Sequence, residues 1–148
     1  GGIESPGLTS APAIAQRVID LLKEAGEELE PKPNWNRIRP ARPSFHDMSN
    51  DERALLVEKA PRYGRIVCRC EEVTEGETTA EIHAPIPATT YDAIKRRTWC
   101  GTGRCQGGFD MPRVVEILSE ELGIPRDQVT KKGGASHFLR RPTKEVER

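Results

Sequence analysis

The residues best placed to do chemistry are four cysteines in two tight pairs. The first pair is Cys68-Arg69-Cys70; after 29 intervening residues comes Cys100-Gly101-Thr102-Gly103-Arg104-Cys105. No secretory signal precedes them, and two pairs are too few for a disulfide framework, so this spacing points to metal. A Cys-x-Cys at the end of a strand puts two thiolates on one loop. The second pair sits in a glycine-rich loop whose backbone can curl its N–H groups toward sulfur. A helix expected to begin near Met111–Arg113 adds the positive end of its dipole. Four thiolates hold either a [2Fe–2S] cluster or a Zn²⁺ ion, and ligand softness does not separate the two. Zinc ribbons use Cys-x2-Cys knuckles, which Cys-x-Cys fits poorly. Four reduced thiols that merely pack are the plain alternative.

The elements that must position these residues are legible from capping and periodicity. Apolar residues Ile14, Val18, Ile19, Leu21 and Leu22 form a stripe over about 11–25, with Thr9 or Ser10 as cap and Gly26 as stop. Residues 27–48 read as a proline-rich linker arm, with Trp35 and Phe45 as candidate anchors. Ser49 and Glu52 form a capping box for a helix to about Lys59, ended by Pro61. A turn and short strand follow over 63–68. Thr74, with Glu77 three residues on, caps a helix over about 75–84. Thr89 or Thr90 opens another to Thr98, with Tyr91 and Ile94 inward. Pro112 begins an amphipathic helix with Val114, Val115, Ile117, Leu118 and Leu122 inward and Gly123 as stop. From Lys131 onward the chain is basic and polar and is expected to fray. The fold class is mainly α: a small helical module with a short strand, preceded by one helix and the proline-rich arm.

The whole has 148 residues, 35% hydrophobic and 31% charged, with 12 prolines and 13 glycines. One large core through the full length is not expected. Lys plus Arg equals Asp plus Glu at 23 each, which excludes the basic footprint of a dedicated nucleic-acid binder. The charge is nonetheless segregated, with two bases against six acids in residues 1–30 and eight bases against four acids in 31–65. No stretch approaches the roughly 20 apolar residues of a membrane span. The opening Gly1-Gly2-Ile3-Glu4-Ser5-Pro6-Gly7 reads like the interior of a longer protein.

Several motifs occur together in order: Tyr63-Gly-Arg-Ile-Val-Cys-Arg-Cys-Glu71, Val73-Thr-Glu-Gly-Glu77, Ile94-Lys-Arg-Arg-Thr98 and Gly103-Arg-Cys-Gln-Gly-Gly-Phe109. Over about residues 49–130 they resemble the [2Fe–2S] domain of the bacterioferritin-associated ferredoxin type. The likeness is to the version at the C-terminus of FAD-dependent oxidoreductases such as anaerobic glycerol-3-phosphate dehydrogenase. The resemblance implies an electron-transfer module whose metal ligands are Cys68, Cys70, Cys105 and one more. There the chain departs from the pattern, which is usually Cys-Gln-Gly-x-x-Cys. Cys105 holds the first position, Asp110 stands at the second, and Cys100 stands where a small residue is usual. Cys100 as a displaced fourth ligand is preferred, and Asp110 as an N-cap is explained without metal. Asp110 as ligand, or a site with only three thiolates, remains open, as does a structural zinc or metal-free interaction domain.

The segment Gly2-Ile-Glu-Ser-Pro-Gly-Leu-Thr-Ser-Ala-Pro-Ala13 is similar to the closing segment of the FAD domain in related flavoenzymes. The resemblance implies that Gly7, Leu8 and Thr9 approach a flavin. The glycine-rich βαβ fingerprint for a dinucleotide is absent from the sequence, so this chain alone is not expected to hold FAD or to be catalytic. The division that follows is residues 1–26 as the tail of a flavin domain, 27–48 as the arm, 49–130 as the cluster domain and 131–148 as a polar tail. The implied partners are the FAD domain of a parent chain and an electron-acceptor subunit. The implied setting is the cytoplasm, with membrane association only through such a partner. Arg69 and Arg104, beside candidate ligands, either tune the site or pair at the surface. Trp99 either shields Cys100 or anchors the core. His83 reads as a surface histidine.

Overall fold

A computed structural model describes residues 2–38 and 40–141. The chain divides into two compact units, Gly1–Pro40 and Ala41–Arg148. The first is built on helix α1, Gly7–Glu24. It starts four residues earlier than the sequence suggests, with Pro6 before it and no side-chain cap. Thr9 and Ser10 therefore lie inside the first turn, where both hydroxyls donate back to the Pro6 carbonyl. A hydroxyl turned back onto a preceding carbonyl accepts no helix N–H, which is why the expected cap fails. The C-terminal end follows expectation: Gly26 takes φ +86° just after the last turn. The apolar stripe forms, but Ile14, Val18, Ile19, Leu21 and Leu22 are all exposed within this unit. Trp35 is also exposed and anchors nothing.

The second unit holds the core. Helix α2, Asn50–Lys59, begins at the Ser49/Glu52 capping box. Strand β1, Ile66–Cys68, pairs antiparallel with β2, Val73–Thr74, with an irregular register between Ile66↔Thr74 and Cys68↔Val73. The chain reverses over 69–72, and Glu72 adopts φ +51°. Helix α3, Glu75–Ile82, starts at the Thr74/Glu77 capping box. Helix α4, Tyr91–Thr98, starts at Thr90 and ends on a left-handed Trp99. Helix α5, Met111–Leu122, ends on a left-handed Gly123. These helices and the small ribbon form the mainly α module expected from the sequence.

The core follows from the periodicity. Val114, Val115, Ile117 and Leu118 of α5 meet Ile82 of α3 and Ile94 of α4, with Val73, Ala88 and Val129 closing the cluster. Each fully buried aliphatic side chain here contributes roughly 1.5–3 kcal/mol of transfer free energy. Phe45 pins its segment as expected: it is buried, its N–H donates to Glu77 Oε1 (3.1 Å), and Arg53 lies 4.8 Å over its ring. Glu77 thereby serves two purposes, since its other oxygen accepts the Thr74 N–H at 2.8 Å.

The segment after Lys131 is more ordered than its composition suggests. Tyr91 and Asp92 donate backbone N–H bonds to the carbonyls of Thr130 and Lys131. Lys131 Nζ pairs with Asp92 at 2.7 Å, and Phe138 packs edge-on against Tyr91 at 5.4 Å. Fraying is avoided because those contacts tie residues 129–138 to the N-terminal turn of α4. The remainder of the expected polar tail, 142–148, lies outside the described residues.

Candidate metal centre

Two loops build the site. The β1–β2 reversal carries Cys68 and Cys70, and the 99–110 loop between α4 and α5 carries Cys100 and Cys105. All four are free cysteines. Cys68 and Cys100 are buried, Cys105 is half-buried and Cys70 is exposed. The ligand atoms of Cys68, Cys100 and Asp110 all lie within 4.8 Å of one another. Cys70 and Cys105 approach each other on the solvent side. The two loops thus pair the cysteines across the chain: Cys68 with Cys100 and Asp110 on the buried side, and Cys70 with Cys105 on the solvent side.

The loop geometry explains the glycines. Gly101 and Gly107 both take positive φ, +78° and +85°. A methyl group on either would collide with the Tyr91 hydroxyl. At Gly103 a methyl group would collide with Cys70 Cβ, so the backbone there lies directly against the first cysteine pair. Glycine is required by space at these points, as the sequence led us to expect for a loop that wraps sulfur.

Asp110 behaves differently from a cap. It precedes α5 but makes no side-chain capping bond. Its side chain turns inward, is 1% exposed, and accepts the Tyr91 hydroxyl on Oδ1 at 2.9 Å. Its Oδ2 is buried with no hydrogen-bond partner. The capping explanation is therefore corrected: in αR conformation Asp110 cannot reach back to the α5 N–H groups as an extended N-cap does. Trp99 is corrected too. It neither shields the site nor anchors the core, because its left-handed position at the end of α4 leaves it 68% exposed. His83 pairs with Glu121 at 2.6 Å on the surface, as expected.

The thiols have unequal environments. Burial pushes the Cys68 thiol up; the N–H groups of Gly101 and Glu71 pull it back, and the Asp110 carboxyl adds to the rise. Burial pushes Cys100 much further up, reinforced by Asp110 and Cys68. Cys105 is held below the usual thiol range, first by the Gly107 N–H and then by Cys70. Burial and the Asp110 carboxyl raise the Tyr91 hydroxyl. Packed together, the Cys68 and Cys100 thiols disfavour their own ionisation. A metal reverses that penalty, since coordination supplies the missing positive charge.

The donor set fits an iron–sulfur cluster. Sulfur predominates, backbone N–H groups face the thiols, and a buried oxygen stands unpartnered beside Cys68 and Cys100. Among the described residues no other group of three or more metal-ligating side chains comes together. A cavity of about 600 Å³ opens over the outer half, lined by Cys70, Cys105, Arg69, Arg104, Ile66 and Phe109 among others. Arg69 and Arg104 line it without an ion-pair partner among the described residues. Gly7, Leu8 and Thr9 form the first turn of α1 in the other unit, with Leu8 90% exposed. Tyr91 is the residue that sequence reasoning missed; it read as core. The available signal was a tyrosine on an inward helix face, whose hydroxyl must find a buried partner.

A small helical module with cysteines on two facing loops defines the class of site, and sequence comparisons agree with it. Residues 66–120 match the family of BFD-like [2Fe-2S] binding domains. The chain is also 52% identical over 143 residues to a glycerol 3-phosphate dehydrogenase of Caloramator mitchellensis, covering 97% of this chain and 30% of that protein. It is 31% identical over 140 residues to an opine oxidase subunit of Rhizobium meliloti, covering 95% of this chain and 23% of that one. A 36-residue stretch is 56% identical to a glycerol 3-phosphate oxidase of Mycoplasma genitalium, 24% of this chain and 9% of that one. The chain thus spans less than a third of the length of the curated relatives it matches. No solved structure matches it. No described helix is long and apolar enough to cross a membrane.

Proposed function

We propose that the chain is the electron-transfer part of an FAD-dependent dehydrogenase of the glycerol-3-phosphate type. The observation that carries this reading is the pairing of Cys68 with Cys100 and of Cys70 with Cys105 across two loops, inside a segment that matches the BFD-like [2Fe-2S] family. When bound, a [2Fe–2S] cluster takes up and gives up one electron at a time, which suits a relay between a two-electron flavin and an acceptor. Cys68, Cys70 and Cys105 supply three ligands, and Cys100 supplies the fourth. Cys100 takes that role because its sulfur shares one buried corner with Asp110, the residue standing at the family's usual cysteine position. Asp110 then closes that corner, held by Tyr91. Gly101, Gly103 and Gly107 let the loop backbone lie close to the sulfurs.

The FAD belongs to the parent protein. Gly7, Leu8 and Thr9 present the N-terminal turn of α1, whose N–H groups offer positive potential to an electron-rich flavin edge. The exposed apolar face of α1 is the surface such a flavin domain would cover. The substrate is a small hydroxy compound of the kind the dehydrogenase relatives are named for, and its electrons leave through an acceptor subunit.

Iron and sulfide analysis with a visible spectrum, on protein purified without oxygen, tests the reading. About two irons and two sulfides per chain are expected. Zinc, or a colourless metal-free protein, overturns the electron-transfer reading in favour of a structural domain. Cys100→Ala is expected to lose the cluster and Asp110→Ala to keep it. The reverse outcome moves the fourth ligand to Asp110. After FAD addition and desalting, this chain is expected to carry no flavin absorbance.

A further inference from the structure

Six arginines of the second unit contrast with two that flank the cysteines. Arg53, Arg62, Arg65, Arg97, Arg113 and Arg126 are each ion-paired. Arg69 and Arg104 are exposed, and neither has an ion-pair or hydrogen-bond partner among the described residues. These two flank the outer cysteines, one from each loop, at the rim of the same cavity. Phe109 stands on that rim 89% exposed, with Ile66 beside it. The one carboxyl group in the lining, Asp110, is buried. The pattern recurs on a second hollow of about 390 Å³, where Asp92 is paired with Lys131 and Lys95 and Arg96 stand without carboxylate partners among the described residues, beside the exposed Trp99. That hollow is lined in part by Thr102 of the same cysteine loop.

Cations left unneutralised around a redox centre act at a distance. They raise the local concentration of anions, speed encounter by about 10–1,000-fold at low ionic strength, and repel basic partners. An exposed aromatic among arginines is the composition of an interface core rather than of an ordinary solvated face. We propose that this rim is the docking surface for an acidic redox protein, one whose own redox group is ringed by carboxylates. Arg69 and Arg104 meet those carboxylates, and Phe109 enters an apolar spot between them. A cluster held by the cysteines would, when reduced, give one electron to the partner's oxidised redox group, with no bond made or broken. This inference rests on the cluster reading above, and its test separates the two.

The test uses two carriers that share one redox group and differ in charge: native cytochrome c, which is lysine-rich, and the same protein succinylated on its lysines. The iron-loaded chain is reduced, and electron transfer to each carrier is followed by stopped flow at rising salt. The expected result is a rate to the succinylated form that falls tenfold or more between about 20 and 500 mM salt, across which the screening length contracts several-fold. The native form should show no such fall. Arg69→Glu/Arg104→Glu should keep the visible spectrum and lose the salt-dependent acceleration, and Arg69→Lys/Arg104→Lys should restore it. Phe109→Ala should weaken the complex without changing the salt slope. A coloured protein whose rates ignore salt, or favour the native carrier, overturns the proposal. A colourless protein overturns the cluster reading instead. The surface is then read by retention on immobilised succinylated cytochrome c at low salt, which the wild type should show and Arg69→Glu/Arg104→Glu should not; equal retention overturns it. Protection of Arg69 and Arg104 from phenylglyoxal in the intact full-length protein would assign the rim to its own flavin domain and also overturn it.

Discussion

Replacing Tyr91 by Phe deletes a single oxygen and leaves the packing in place. The hydroxyl donates to Asp110 Oδ1 at 2.9 Å, and both residues are buried. The opposite oxygen, Oδ2, already lacks a partner, so the substitution leaves both carboxyl oxygens of a 1% exposed side chain unsatisfied. An orphaned buried acceptor costs about 1–3 kcal/mol. The ring itself stays, with its edge-on contact to Phe138, so no cavity term adds to that figure. In urea, with a slope of about 1–1.5 kcal/mol/M for a domain of this size, the midpoint should fall by roughly 0.7–3 M. The assay is far-UV circular dichroism on the iron-free chain under reducing conditions. A second substitution tests the geometry. Gly107→Ala collides with the Tyr91 hydroxyl and is strained at φ +85°. In the Tyr91→Phe background only the backbone strain remains, so the double variant should lose less than the sum of the two singles. A midpoint shift under about 0.3 M, or strict additivity, would refute the reasoning that this hydroxyl organises the loop.

Three further outcomes follow from the core and the caps. Leu118→Ala, at a fully buried α5 position, should destabilise the module by about 3–5 kcal/mol in the same titration; a loss under about 1 kcal/mol would mean that α5 is not packed as described. Thr74→Ala should cost about 1–2 kcal/mol and more than Ser49→Ala, because the Thr74 box is buried and the Ser49 box is exposed. Glu75 sets part of the acid limit. Burial would raise its carboxyl, but hydrogen bonds and charges from Arg113 and Arg65 outweigh burial and hold it below the usual range. A carboxyl depressed in the folded state contributes stability that is complete above its unfolded value of about 4.3, and loses it as pH falls through the lower folded value. The urea midpoint should therefore drop below about pH 4, and less steeply in Glu75→Gln; equal slopes would remove Glu75 from the account.

Local features were readable because they depend on a few neighbouring residues. Both capping boxes, the left-handed glycine ends and the inward stripe of α5 appear where the sequence places them, since each is decided within about four residues. The start of α1 is ambiguous in sequence for the same reason. Two hydroxyls near a proline look alike as caps or as back-bonding residues, and only the helix's true first turn distinguishes them. The order after Lys131 escaped composition because its anchors, Asp92 and Tyr91, lie some 40 residues upstream.

By itself the sequence determined the donor chemistry, the loops that carry it and the need for glycine between the cysteines. Spacing and residue type suffice for that, because thiolates seek soft metal and only glycine fits where backbone meets sulfur. Tertiary structure alone decided which half of the donor set is buried, and that Asp110 turns from α5 toward Tyr91 and the inner thiols. It also left Arg69 and Arg104 at the rim with no ion-pair partner among the described residues, while Arg113 in the same lining is paired with Glu75. These outcomes depend on contacts between residues distant in the chain, where burial and unsatisfied polar atoms cost free energy that no local pattern records.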